Sequence, residues 1–131
     1  QKAFDMMEAH YKNCPGETFS REYMLGVVED YYRDALAEGY TGARGAGEMN
    51  WAAGEQHASF DELLDYEADL NTILREHPLT TVCQYDARRF SGDVIMALLA
   101  VHPMAIMRGQ LIKNPFYVPP EEFRRELADA T

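Results

Sequence analysis

His77-Pro78-Leu79-Thr80-Thr81-Val82-Cys83-Gln84-Tyr85 is the stretch that decides the fold of this chain. Proline cannot continue a helix, so His77-Pro78 closes whatever helix precedes it. The residues from Leu79 to Tyr85 are rich in β-branched and apolar side chains and long enough for one strand. That is the composition of a strand buried within a sheet.

Upstream, Ser59-Phe60-Asp61-Glu62 has the form of a capping box. Phe60, Leu63, Leu64, Leu70, Ile73 and Leu74 then continue along one helical stripe, beside an acidic face of Asp61, Asp65 and Asp69. An earlier helix starts at Ser20, carries Met24, Val27, Val28, Tyr31, Ala35 and Leu36 on one side, and ends at Gly39. Thr41 to Trp51, between these two helices, reads as a strand. Ala3 to Ala9 reads as another, followed by a turn-rich break at Lys12-Asn13-Cys14-Pro15-Gly16.

Downstream, Asp86 to Phe90 forms a loop, and Ser91 and Asp93 open a helix that is apolar nearly all round from Val94 to Val101. Such a helix is either deeply buried or lies against another subunit. His102-Pro103 ends it, Met104 to Met107 is expected as the last buried strand, and Gly109 permits a turn before Leu111 and Ile112. Helices alternating with short apolar strands imply βαβ units, so the fold class is α/β, a mostly parallel sheet with flanking helices. Residues 1–120 are expected to form one domain and 121–131 a terminal helix or linker. The chain opens on Gln1 rather than Met and is expected to be a segment of a longer protein.

At 131 residues one core suffices, burying roughly two-thirds of the unfolded surface. Acidic residues outnumber basic ones 22 to 12, for a net charge of −10, which disfavours direct nucleic-acid binding. Val94 to Val101, the longest apolar run, is too short for membrane insertion. Cys14 and Cys83 belong to no CxxC or Cys/His ligand spacing, so no disulfide scaffold, metal site or cofactor is expected, and the default location is cytoplasmic.

Gly42-Ala43-Arg44-Gly45-Ala46-Gly47 has the glycine spacing of a phosphate loop, but Glu48-Met49 stands where lysine and a hydroxyl residue are required. Without them nothing holds the β/γ-phosphates or Mg²⁺. Glu48, near the end of an inner strand, is either half of a structural ion pair with Arg44, Arg88 or Arg89, or an acid that contacts ligand. Trp51 can wall a pocket or fill core. Tyr85, Asp86 and Arg89 gather at the next strand end, where open α/β sheets place ligand crevices, though for Asp86 alone a cap of its own turn is the slightly favoured reading. Phe116 and Tyr117, within Asn114-Pro115-Phe116-Tyr117-Val118-Pro119-Pro120, either seal the domain edge or form a lid. For His77 and His102 the simpler reading is a cation at the negative end of a helix.

Gly47-Glu48-Met49-Asn50-Trp51, Tyr66-Glu67-Ala68-Asp69-Leu70-Asn71, Cys83-Gln84-Tyr85-Asp86-Ala87-Arg88-Arg89-Phe90, His102-Pro103 and Asn114 to Pro120 together resemble the MEDS domain. This is the methanogen/methylotroph sensory domain, named for a dichloromethane-responsive regulator, and the resemblance runs from about Phe19 to Pro120. It implies a RecA/KaiC-like α/β domain without a phosphate loop, acting as a small-molecule sensor in kinases or transcriptional regulators. It also implies a further strand–helix–strand portion upstream that this sequence lacks.

The expected function is therefore a non-catalytic sensory domain whose ligand site comprises Glu48, Trp51, Tyr85, Asp86, Arg89, Phe116 and Tyr117. Its partners would be an unidentified small organic ligand and a kinase or DNA-binding output domain. The alternatives are a structural module that dimerises through the Val94 to Val101 helix, and a residual KaiC-like ATPase with Glu48 as its acid.

Overall fold

A computed structural model describes residues 2–5, 19–53 and 59–130, with the side chains of 2–5 and 127 excepted. The turn expected at Lys12 to Gly16 and the later part of the strand expected from Ala3 lie outside the described residues. Three parallel strands, β1 (Lys2–Asp5), β2 (Ala43–Glu48) and β3 (Leu79–Gln84), pair in the order β1-β2-β3. Helix α1 (Arg21–Ala37) lies between β1 and β2 in sequence, and α2 (Phe60–Glu76) between β2 and β3. The α/β class follows directly.

Local chemistry sets the helix ends. Ser20 accepts a hydrogen bond from the Tyr23 amide at 3.3 Å, and Gly39 takes φ +91° just past the C-cap, a backbone conformation open to glycine. Ser59 and Glu62 close the full capping box of α2. At its other end His77 packs against Tyr32 with the rings tilted, centroids 4.8 Å apart.

The helical stripes meet the inward face of the sheet in two adjoining cores. Phe19, Met24, Val28, Ala35, Tyr66, Leu70, Ile73 and Leu79 form one. Met49, Leu63, Leu64, Ala68, Leu98, Val101 and Phe123 form the other. A fully buried apolar side chain of this size contributes about 1.5–3 kcal/mol by leaving water. Along β3 the pattern alternates, with Leu79 buried and Thr80, Val82 and Gln84 exposed.

Gly42 marks the tightest approach in the sheet. A Cβ there would stand 2.5 Å from the Pro78 carbonyl oxygen, whose hydrogen bond from the Ala43 amide fixes the β2–β3 register. Backbone cannot yield as a side chain does, so Gly42→Ala is expected to destabilise the domain by about 1–3 kcal/mol. A urea unfolding midpoint unchanged from the parent would contradict this.

Three expectations need correction. Met104 to Met107 is no buried strand of the parallel sheet: β4 (Met104–Met107) pairs antiparallel with β5 (Gln110–Lys113) in a separate hairpin. The two-residue link Arg108-Gly109, with φ of 51° and 75°, permits only an antiparallel pairing, and Ile106, Met107 and Leu111 are left exposed. Of the two readings offered for the Val94 to Val101 helix, deep burial fails, since in α3 (Gly92–Ala100) only Leu98 is buried and Met96 is 48% exposed. Trp51 lies beyond β2, on a short 3-10 turn at Asn50–Ala53. The last helix, α4 (Pro120–Ala130), packs back on α2 through buried Phe123, the Arg75–Glu121 pair at 3.2 Å and an Arg124–Asp69 pair.

Candidate functional site

Parallel pairing brings the C-terminal ends of β2 and β3 side by side. The Met49 amide still bonds the Gln84 carbonyl at 2.9 Å, and just beyond it the Asn50 Oδ1 accepts from the Asp86 amide at 2.9 Å. That second bond ties the two strand-end loops together.

Glu48 turns back on its own loop, accepting from the Asn50 amide at 2.7 Å, and no described arginine forms an ion pair with it. Asp86 caps its own turn, accepting from the Arg88 amide at 3.0 Å and taking the Arg88 guanidinium on both oxygens. Those bonds hold the Asp86 carboxyl down at about 2. Arg89 is exposed; its charge adds a little to the lowering of the Asp86 pKa, but it forms no salt bridge with a described carboxylate. It edges a half-open depression of about 210 Å³ whose wall also includes Ala52, Phe60, Leu63, Phe90 and Val94.

Trp51 stacks on Phe19 at 5.4 Å and belongs with the core that backs this crevice. Phe116 and Tyr117 lie elsewhere. Buried Asn114 donates through Nδ2 to the carbonyls of Leu99 and His102, and the Val118 amide bonds the Ala100 carbonyl at 2.8 Å. Their loop is thus fastened to the C-terminal end of α3, while Arg89 precedes its N-terminal end. Nine residues of helix separate the two by about 13 Å. That anchoring keeps the loop at the end of α3 away from Arg89, with Phe116 exposed.

Tyr85 leads to a feature that spacing did not indicate. Its hydroxyl donates to the carboxylate of Glu67, on α2, whose side chain is 1% exposed. The same carboxylate accepts from Cys83 Sγ at 3.5 Å and lies 3.3 Å from His102 Nε2. One atom from each of Glu67, Cys83 and His102 falls within 4.8 Å of the others. Burial works against the Glu67 charge, but His102, Tyr85 and Cys83 outweigh it and keep its pKa below the usual carboxylate range. Burial also opposes the His102 charge, and Glu67 overcomes this to raise its pKa. The Cys83 thiol and Tyr85 phenol are pushed well up by burial and then by the neighbouring carboxylate.

His102 fulfils its expected role at a helix end with one nitrogen only. Nδ1 meets the Leu98 carbonyl at 2.7 Å, and Nε2 faces Glu67. The sequence did hold a signal for the cluster. Glu67 stands four residues after Leu63 and three before Leu70, on the buried stripe of α2, and Cys83 shares the inward side of β3 with Leu79.

A family model described as the methanogen/methylotroph, DcmR sensory domain (MEDS) matches residues 2–103. The chain is 32% identical over 80 residues to the transcriptional repressor DcmR of Methylorubrum extorquens. That stretch covers 60% of this chain and 30% of the repressor. No solved structure matches.

Proposed function

Because the chain belongs to the MEDS family of sensory domains, we propose that it binds a compact organic molecule in the crevice between the β2 and β3 strand ends. The observation that carries this reading is the Asn50–Asp86 bond, which holds two strand-end loops beside a depression edged by Arg89. Open α/β sheets bind ligands at this position. A volume of about 210 Å³ suits a small molecule rather than a drug-sized one. A guanidinium that forms no salt bridge with a described carboxylate favours a ligand with a carboxylate or another strong hydrogen-bond acceptor. Glu48 and Asp86 hold the strand-end loops that flank the crevice, Trp51 packs in the core near it, Tyr85 is engaged by Glu67, and Phe116 and Tyr117 brace the far end of α3.

In this reading the domain is non-catalytic and cytoplasmic, with a RecA/KaiC-like core, and it passes its ligand state to a kinase or DNA-binding output domain. Similarity to a transcriptional repressor supports the regulatory role. Among the described residues no helix is long and apolar enough to cross a membrane. A thermal-shift screen of compact carboxylates and neutral organic molecules tests the binding. A stabilising ligand is expected, with at least tenfold weaker binding in Arg89→Ala. No stabilisation by any compound, or equal binding by the variant, would contradict the reading.

A second reading rests on the apolar hairpin, where Ile106 is 60% and Leu111 65% exposed, close in sequence to the exposed Met96 of α3. Such a surface suits association with a second copy or the output domain. A monomer at high concentration by light scattering would count against self-association.

A further inference from the structure

We propose that Glu67, Cys83 and His102 form a binding site for a divalent transition-metal ion of the zinc or cobalt class, distinct from the organic-ligand crevice. A carboxylate oxygen, a thiolate sulfur and an imidazole nitrogen are the donors such ions take, and bonds of about 2.0–2.3 Å place neighbouring donors of a tetrahedron about 3.3–3.8 Å apart. Two of the three separations, 3.3 Å from Glu67 to His102 and 3.5 Å from Glu67 to Cys83, fall in that interval. The third lies within 4.8 Å, a short adjustment away.

The surroundings orient these donors as metal ligands are oriented. A carbonyl oxygen only accepts, so the contact with Leu98 places a proton on His102 Nδ1 and turns Nε2 into the cluster. Holding one imidazole nitrogen on a backbone carbonyl is the usual way a metal-binding histidine is fixed. Nε2 is buried and within ion-pairing distance of Glu67, yet lacks the alignment of a hydrogen bond. Tyr85 clamps the other carboxylate oxygen, Oε1, leaving Oε2 toward Cys83 and His102.

Charge balances without rearrangement. Below the raised pKa of His102, the metal-free cluster holds a carboxylate, a neutral thiol and an imidazolium. Binding one divalent ion displaces the Cys83 Sγ proton and the His102 Nε2 proton to solvent, leaving carboxylate, thiolate and neutral imidazole around the metal. The cluster is neutral before and after, which is what a buried site tolerates. Three protein donors leave one tetrahedral position for water or another small ligand.

Titration of the protein with cobalt(II) is the test. We expect a thiolate-to-cobalt charge-transfer band and tetrahedral d–d absorption that saturate at one equivalent and are displaced by zinc. Cys83→Ser should abolish the charge-transfer band and Cys14→Ser should keep it. His102→Gln should weaken binding by more than the roughly 10- to 100-fold that losing an outer partner costs. X-ray absorption of the zinc-loaded parent, which needs no variant to fold, should give one sulfur and otherwise nitrogen or oxygen neighbours. No cobalt band, a band that survives Cys83→Ser, or a zinc shell with no sulfur or several would overturn the proposal. None of these outcomes depends on finding an organic ligand.

Discussion

Replacing Glu67 with alanine in the presence of a chelator is expected to lower the unfolding free energy by about 3–5 kcal/mol, the usual result of deleting one side of a buried ion pair. The loss is large because three groups face this one carboxylate. His102 would be left with no counter-charge, and the Tyr85 hydroxyl and Cys83 thiol would lose their acceptor in a place little reached by water. The comparison variant replaces the cluster with apolar residues together, Glu67→Leu, Cys83→Ala and His102→Leu. No charge is then stranded, so its stability should lie much closer to the parent. Equal destabilisation by both variants would show that shape, rather than stranded polarity, governs the site.

The same pair has a pH signature. Glu67 titrates below its ordinary 4.5, so its contribution is complete above that value and is lost as pH falls through the lowered pKa. His102 titrates above its ordinary 6.5, so its contribution is complete below that value and is lost as pH rises through the raised pKa. The gap between parent and Glu67→Ala should therefore be widest between about 4.5 and 6.5. Urea midpoints across that range check it, and a gap that grows steadily toward alkaline pH would contradict the pairing.

Tyr66→Ala carries the second large effect, an expected loss of about 3–5 kcal/mol. Tyr66 is fully buried on α2, and the ring of Phe19 meets it edge to face at 5.4 Å. Removing the ring leaves a cavity that strand and helix backbones cannot close. Domains of this kind have only about 5–15 kcal/mol in total, so much of the stability would go. Leu36→Ala is the matched control, because Leu36 is 44% exposed and should shift stability by no more than about 0.5 kcal/mol. Denaturant unfolding measures both, and similar midpoints would show that the α1–α2 core is not packed as described.

Much of this architecture was legible in local chemistry. Ser59 and Glu62 announce the start of α2, Gly39 closes α1, and Leu79 to Gln84 forms a strand where proline has stopped a helix. Met104 to Met107 has the apolar composition of a buried strand, yet it pairs in a hairpin that leaves Ile106 and Met107 exposed. The two-residue link Arg108-Gly109 carried the better information, since parallel strands require a long crossover. Trp51 escaped because a 3-10 turn leaves little trace in periodicity.

The crevice was partly legible, since strand-end position brought Glu48, Trp51, Tyr85, Asp86 and Arg89 to one end of the sheet. The capping role of Asp86 was legible too, whereas nothing in the sequence foretold that Glu48 would turn back onto the Asn50 amide. The buried cluster was hidden for another reason. Its three donors come from α2, β3 and the end of α3, and only tertiary packing brings residues 67, 83 and 102 together. Ligand motifs read along a chain find donors spaced on one element, so a site assembled from three elements has no such signature.

If the β2–β3 strand-end crevice takes the organic ligand, amide chemical-shift mapping will locate it there. Titration of the ¹⁵N-labelled protein with a compact carboxylate that stabilises it should shift the amides of Asn50, Ala52, Asp86, Arg89 and Phe90 in a saturable way. Those of Phe116 and Tyr117, at the far end of α3, should move little. Saturable shifts centred on the β4–β5 hairpin or the Phe116–Tyr117 loop, with the strand-end amides unmoved, would place the ligand outside the crevice.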